Sequence, residues 1–188
     1  MAPGADVLAG HTLGVAGLGA IGLRAAQLAG AFGMRVAAIR RHPQPAPGVE
    51  WVGSMDDLPR LLGESDYVVN LLPLTRETRG VFGRAQFAAM KPTAIYTSYG
   101  RGATTNTAAL VAALRAGTIR GAGLDVVDPE PLPAGHPLWT MDNVVLTPHC
   151  SGLHERYNEN ALAIFLENLR RYRAGLPLNN VVDKALGY

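Results

Sequence analysis

Arg101, Glu130 and His149 have the side-chain types that reduction of a 2-oxo acid requires. A guanidinium can fork onto the carboxylate of such an acid. An imidazole can give a proton to the alkoxide that forms. A carboxylate beside that imidazole orients it and favours its protonated form. Each of the three follows a short apolar run. Arg101 stands in Ser98-Tyr99-Gly100-Arg101-Gly102, Glu130 in Asp128-Pro129-Glu130-Pro131, and His149 in Thr147-Pro148-His149-Cys150. Taken singly, each has a plainer reading. A histidine after a proline suits a turn, and Asp125 and Asp128 suit loop or cap positions. Cys150 beside His149 suggests a Cys–His nucleophile, but adjacent side chains project in different directions and no oxyanion glycine pattern surrounds them. His149 and His154 lack the further ligands of a metal site, so no metal is expected.

A hydride donor has its own signature. Gly17-Leu18-Gly19-Ala20-Ile21-Gly22 is a G-x-G-x-x-G. The pattern alone is weak among 22 glycines. Here it follows a predicted strand and opens a predicted helix, as a dinucleotide site requires. Gly17 would permit the tight turn, Gly19 a close approach of a pyrophosphate, and Gly22 close helix–strand packing. The N–H groups of the first helical turn, Ala20 and Ile21 among them, would face the phosphates. An NAD site has an acidic residue at the end of the next strand. This sequence has Arg40 and Arg41 there instead, with no carboxylate before Glu50. Arginine pairs with a 2′-phosphate, so NADP (as NADPH) is the expected cofactor, with NAD as the alternative and a solvated strand end as the plain reading.

The elements that must position these groups alternate. Strands are predicted at 12–17, 35–39, 67–72, 94–97, 119–126 and 143–147. Helices are predicted at 21–32, from a Ser54 cap to 62, in a short turn ending at 87–90, at 107–116, and at 155–174. Asp57 completes a capping box with Ser54. Leu162, Phe165, Leu169 and Tyr172 recur on one face of the last helix, which Gly175 ends. Alternation of this kind, with nearly continuous apolar strands, predicts an α/β fold: a doubly wound parallel sheet covered on both faces, followed by a long C-terminal helix. Ligands of such sheets sit at the carboxyl ends of the strands.

Composition excludes several classes. The 188 residues are 48% hydrophobic and 17% charged, with net charge +2. That length buries enough surface for one core without disulfides. A charge of +2 gives no nucleic-acid footprint. No apolar run approaches a membrane span, and the first residues lack the regions of a signal peptide. One cysteine excludes a disulfide framework. A cytoplasmic protein without membrane or nucleic-acid partners is expected. His11, His42 and His136 read as surface residues, Trp51 and Trp139 as packing residues, and Arg170, Arg171 and Arg173 as a solvated helix face.

Four motifs in order resemble the D-isomer-specific 2-hydroxyacid dehydrogenase family: TLGVAGLGAIG, LLPLTRET, the GRG of SYGRG, and LDVVDPEPLP followed by LTPHCSG. The ending FLENLRRYRAGLPLNNVVD resembles that family's last helix and tail, so the similarity covers nearly the whole chain. It implies a reversible hydride transfer between a nicotinamide cofactor and a small D-2-hydroxy acid. By the same resemblance Arg101 holds the oxo acid, Glu130 supports the histidine, His149 is the general acid and Asp125 lies near the nicotinamide. The cofactor positions it implies add Leu72, Pro73, Thr78, Ser98 and Tyr99 to the glycine turn and the arginine pair, with Arg101 and His149 at the nicotinamide end. Ser98 and Asn106 depart from the family's usual Asn and acidic residue. The arginine pair resembles NADP-using glyoxylate and hydroxypyruvate reductases of the family.

Residues 1–153 are read as the dinucleotide-binding domain and 154–188 as a helix and tail that return to a substrate domain. The glycine turn begins at Gly17, so the family's N-terminal substrate domain is expected to be missing. Two functions follow: an NADP-dependent 2-hydroxyacid dehydrogenase that forms a homodimer, or a dinucleotide-binding module without turnover of its own.

Overall fold

The computed structural model describes residues 7–185 and 187, and the chain divides into two compact units, Met1–Pro148 and His149–Tyr188. In the first unit the strands are β1 (Thr12–Ala16), β2 (Arg35–Ile39), β3 (Trp51–Gly53), β4 (Tyr67–Asn70), β5 (Ile95–Ser98), β6 (Gly121–Leu124) and β7 (Val144–Leu146). Its helices are α1 (Ala20–Ala31), α2 (Leu58–Glu64), α3 (Arg84–Ala88) and α4 (Thr107–Arg115). The strands form one parallel sheet in the order β3-β2-β1-β4-β5-β6-β7. This is the doubly wound α/β architecture expected from the alternation.

The first strand of each half runs side by side, β1 against β4, and the chain leaves them in opposite directions. Right-handed crossovers then decide which face each connection takes. Helix α1 and the following loop pack on one face with Val15, Val36, Ala38 and Val69. Helices α2, α3 and α4, and Leu138 from the connection to β7, pack on the other with Ile39, Val68 and Tyr96. Cover on both faces therefore holds over β1 and β2. Beyond β4 every connection of this unit moves in the same direction and lands on the same face, so Val145 on β7 stays 68% exposed.

Local signals explain the element ends. Ser54 accepts from the Asp56 N–H and donates its own N–H to Asp57 Oδ2 at 2.8 Å, the expected capping box, but around a 3-10 turn (Met55–Asp57) that leads into α2. Asn106 caps α4 by accepting from the Ala109 N–H, and Gly117 follows at φ 66°. Strand β3 was not expected; it is three residues long, and pairing with Ala37, Ala38 and Ile39 of β2 is what makes it a strand. His11 is half-buried, edge-on to Tyr67, not a surface residue. Trp139 is 54% exposed, held by its indole N–H on Pro133 O.

The second unit is α5 (Tyr157–Arg173) with its tail. Gly175 ends the helix at φ 66°. The tail turns back along it, with Asn168 bonded to both the N–H and the carbonyl of Asn179. Leu162, Phe165, Leu169 and Tyr172 are all exposed. Among the described residues no helix is long and apolar enough to cross a membrane.

Candidate active site

The turn between β1 and α1 lies at the point where the sheet changes direction. The N–H groups of Gly17 and Leu18 both donate to Ile39 O, tying the turn to the end of β2. Gly17 has φ 105° and passes so close to the next loop that a Cβ would stand 2.9 Å from the Leu71 carbonyl carbon. A Cβ on Gly22 would stand 2.5 Å from Gly17 O, which is the close helix–strand approach read from the sequence. Gly19 differs from both: a Cβ there would meet nothing within 4 Å. It is the N-cap of α1, which has no side-chain cap and no acidic residue in its first turn. Ala20 and Ile21 are exposed beside it. An open helix N-terminus behind a residue without a side chain suits a pyrophosphate, so the residues present fit a dinucleotide.

The arginine pair follows β2. Arg40 is half-buried and its N–H donates to Gly53 O at 2.9 Å, while Arg41 is exposed. The loop after β4 folds on itself through two threonines. Thr75 N donates to Thr78 Oγ1 at 2.8 Å, and Thr78 Oγ1 donates to Pro73 O at 2.6 Å. The buried Thr78 therefore shapes the loop, and Leu72 at the start of the loop is buried as well. In the same loop, the Thr75 hydroxyl and the Glu77 backbone N–H hold the Glu77 carboxyl below its usual range, with weaker help from Arg41 and Arg76.

Asn70, at the carboxyl end of β4, was not singled out in the sequence. It is fully buried. Its Nδ2 donates to Tyr96 Oη and to Thr104 Oγ1, both at 2.8 Å, and reaches Ser98 Oγ at 3.4 Å. Its Oδ1 accepts from Leu72 N at 3.1 Å. Tyr96 Oη lies 2.6 Å from Thr105 Oγ1, and burial pushes the Tyr96 phenol up to about 12. Ser98 is thus a member of a buried network, whereas Tyr99 is 43% exposed. The one sequence signal of the network is the amide itself: in the apolar run YVVNLL a buried amide must find partners.

Arg101 follows β5 and is exposed, with one guanidinium nitrogen donating to Gly100 O at 2.9 Å. Asp125 follows β6 and is buried; its Oδ1 accepts from Thr147 Oγ1 at 2.6 Å, and its N–H donates to Ser98 O. Glu130 lies in the exposed proline loop between two cis peptide bonds, Asp128-Pro129 and Glu130-Pro131. The first unit thus gathers the glycine turn, Leu72, Pro73, Arg101 and Asp125 onto neighbouring loops at the carboxyl ends of β1, β4, β5 and β6. His149 opens the second unit with φ 51°, a left-handed conformation uncommon outside glycine. No group of His, Cys, Asp and Glu suited to a metal ion occurs among the described residues.

Comparison with known proteins gives a consistent result. Residues 2–151 match the family model of the D-isomer specific 2-hydroxyacid dehydrogenase NAD binding domain. Over 156 residues the chain is 46% identical to glyoxylate/hydroxypyruvate reductase B of Klebsiella pneumoniae, covering 81% of this chain and 48% of that one. A D-isomer specific 2-hydroxyacid dehydrogenase of Xanthobacter autotrophicus, solved with NADPH, superposes with a TM-score of 0.92 at 39% identity, covering 100% of this chain and 77% of that one. An NADPH-dependent glyoxylate/hydroxypyruvate reductase of Sinorhizobium meliloti, solved with NADP, gives 0.88 at 34% identity, covering 95% and 57%. The chain spans about half the length of the curated relatives it matches.

Proposed function

This chain belongs to the D-isomer specific 2-hydroxyacid dehydrogenase family, and from that premise we propose that it is an NADPH-preferring oxidoreductase of small D-2-hydroxy acids and 2-oxo acids of the glyoxylate and hydroxypyruvate kind. The observation that carries the reading is the open α1 N-terminus behind Gly19, at the point where the sheet changes direction. There the helix dipole and the amides of Ala20, Ile21 and Gly22 receive a pyrophosphate. Arg40 and Arg41 receive a 2′-phosphate at the end of β2, and Leu72 and Pro73 border the adenosine side.

The dihydronicotinamide, when bound, supplies the hydride that goes to the carbonyl carbon of the oxo acid. Arg101 pairs with the substrate carboxylate and fixes which carbon is presented. His149 gives a proton to the carbonyl oxygen as it gains charge, and Glu130 is its supporting carboxylate. Asp125 sits at the nicotinamide end, its carboxylate held by Thr147. Residues 1–153 bind the dinucleotide, and 154–188 form the helix and tail that pack on a substrate domain. We place the protein in the cytoplasm as a homodimer; a monomeric mass in solution would count against the dimer.

The test is NADPH oxidation, followed by absorbance, with glyoxylate and with hydroxypyruvate. Turnover that falls sharply in His149→Ala supports the dehydrogenase. Tight NADPH binding with no turnover on any short 2-oxo acid identifies a dinucleotide-binding module instead. Equal affinity for NADPH and NADH would overturn the cofactor preference.

A further inference from the structure

We propose that Asn70 and Thr104 are positioning residues for Arg101: the buried Asn70 amide sets the direction of the Thr104 hydroxyl, and that hydroxyl holds the Arg101 carbonyl. The inference rests on reading Arg101 as the residue that takes the substrate carboxylate.

The direction of every bond in this chain follows from one backbone group. Leu72 N–H can only donate, and it points at the Asn70 side chain from 3.1 Å. The atom facing it must therefore be Oδ1, which turns Nδ2 toward Tyr96 Oη and Thr104 Oγ1. An amide nitrogen donates and does not accept, so both hydroxyl oxygens accept from it. The Thr104 hydrogen is left to donate onward, and it does so to Arg101 O at 2.7 Å. Arg101 O also accepts from Thr104 N at 3.0 Å. Meanwhile Asn70 O accepts from the N–H groups of Tyr99 and Gly100, at 3.0 and 3.1 Å. One residue thus holds the loop on both sides of Arg101, and the same side chain holds Leu72, which borders the cofactor side. None of Asn70, Tyr96, Ser98 and Thr104 has meaningful exposure, so water cannot replace a lost partner. The guanidinium itself is exposed. What the network fixes is the backbone from which it reaches.

Thr104→Val removes the hydroxyl and keeps the shape, and Thr104→Ser keeps the hydroxyl. The full chain is examined by NADPH titration, by the KM for glyoxylate, and by amide hydrogen exchange over residues 99–105. Loss of one buried hydrogen bond predicts a KM for glyoxylate raised about fivefold in Thr104→Val, with faster exchange in the loop. NADPH affinity stays within about twofold of the parent, a change too small to represent such a bond. Thr104→Ser restores both KM and exchange. Asn70→Asp, which has only acceptors to offer, draws the Thr104 hydrogen away from Arg101 and gives the same loop exchange as Thr104→Val. An unchanged glyoxylate KM in Thr104→Val, NADPH binding weakened in parallel, or a serine variant that restores nothing would each overturn the proposal. If the parent itself responds to no short 2-oxo acid, the functional reading fails. The exchange result then decides the positioning role: an unchanged loop refutes it, and faster exchange reversed by serine upholds it.

Discussion

Gly100 lies so close to Leu72 that a Cβ on it would stand 2.4 Å from the Leu72 carbonyl oxygen. The loop after β5 and the loop after β4 are thereby in direct backbone contact. On its other side the Leu71–Leu72 backbone meets Gly17 of the dinucleotide turn. Backbone cannot step aside as a flexible side chain can, so Gly100→Ala must separate two loops. The expected cost is about 1–3 kcal/mol, seen as a lower urea midpoint, together with weaker NADPH binding. A variant as stable as the parent would show that the contact is soft.

Gly19 and Gly22 predict opposite outcomes from the same substitution. Gly22→Ala would bring its methyl within 2.5 Å of Gly17 O and 3.1 Å of Val15 Cγ1, and should cost stability by about 1–3 kcal/mol. Gly19→Ala meets nothing within 4 Å, and changing an N-cap from glycine to alanine costs about 1 kcal/mol or less. Its methyl instead occupies the approach to the α1 amides. NADPH affinity should fall by about tenfold or more in Gly19→Ala, the equivalent of 1.4 kcal/mol. Calorimetric titration beside thermal melts separates the two. Gly19→Ala that binds NADPH like the parent would remove the pyrophosphate from this position.

Most of the sheet was legible because β1, β2, β4 and β5 are apolar runs bounded by glycine, proline or cap residues. The glycine turn was legible for the same reason, since its spacing and its flanking elements sit in one stretch of chain. Strand β3 was not, because three residues carry no period and only the β2 partner defines it. The Asn70 network was invisible for a different reason. Its members at 70, 96, 98, 104 and 105 come from separate stretches, and only the register of β4 on β5 stacks Asn70 beside Ser98. Bare cover on the β7 side follows from crossover handedness applied to a strand order that the sequence did not reveal.

Acid should weaken the fold through Asp66 at the opposite end of the sheet. Its Oδ2 accepts from Thr12 N at 2.8 Å, and its Oδ1 accepts from Lys91 Nζ at 2.7 Å. Burial opposes its ionisation, but the Lys91 ammonium and the Thr12 N–H outweigh that and hold the carboxyl below its usual range. A carboxyl whose folded pKa is depressed contributes stability above its unfolded value, near about 3.9. That contribution is lost as pH falls through the folded value. Urea midpoints should therefore drop between neutral pH and pH about 3, and drop less in Asp66→Asn, which is already less stable at neutral pH. Parallel pH curves for parent and variant would assign the acid sensitivity elsewhere.

Arg41 and Glu77 should set the cofactor preference against each other. The Glu77 carboxylate, fixed by the Thr75 hydroxyl at 2.7 Å, feels the Arg41 guanidinium at the end of β2. A 2′-phosphate on Arg41 would feel that carboxylate as repulsion, and an unphosphorylated ribose would not. Glu77→Gln should thus tighten NADPH about twofold to fivefold and leave NADH unchanged, a change in the range of an exposed charge interaction. Arg41→Ala should weaken NADPH about tenfold, as loss of a charge-assisted hydrogen bond predicts, again with little effect on NADH. Both differences should shrink as salt is raised, because the groups are exposed and screened. Titrations with the two cofactors at low and high salt measure all four terms. A Glu77→Gln variant that changes both affinities equally would mean that the carboxylate shapes its loop and does not read the phosphate.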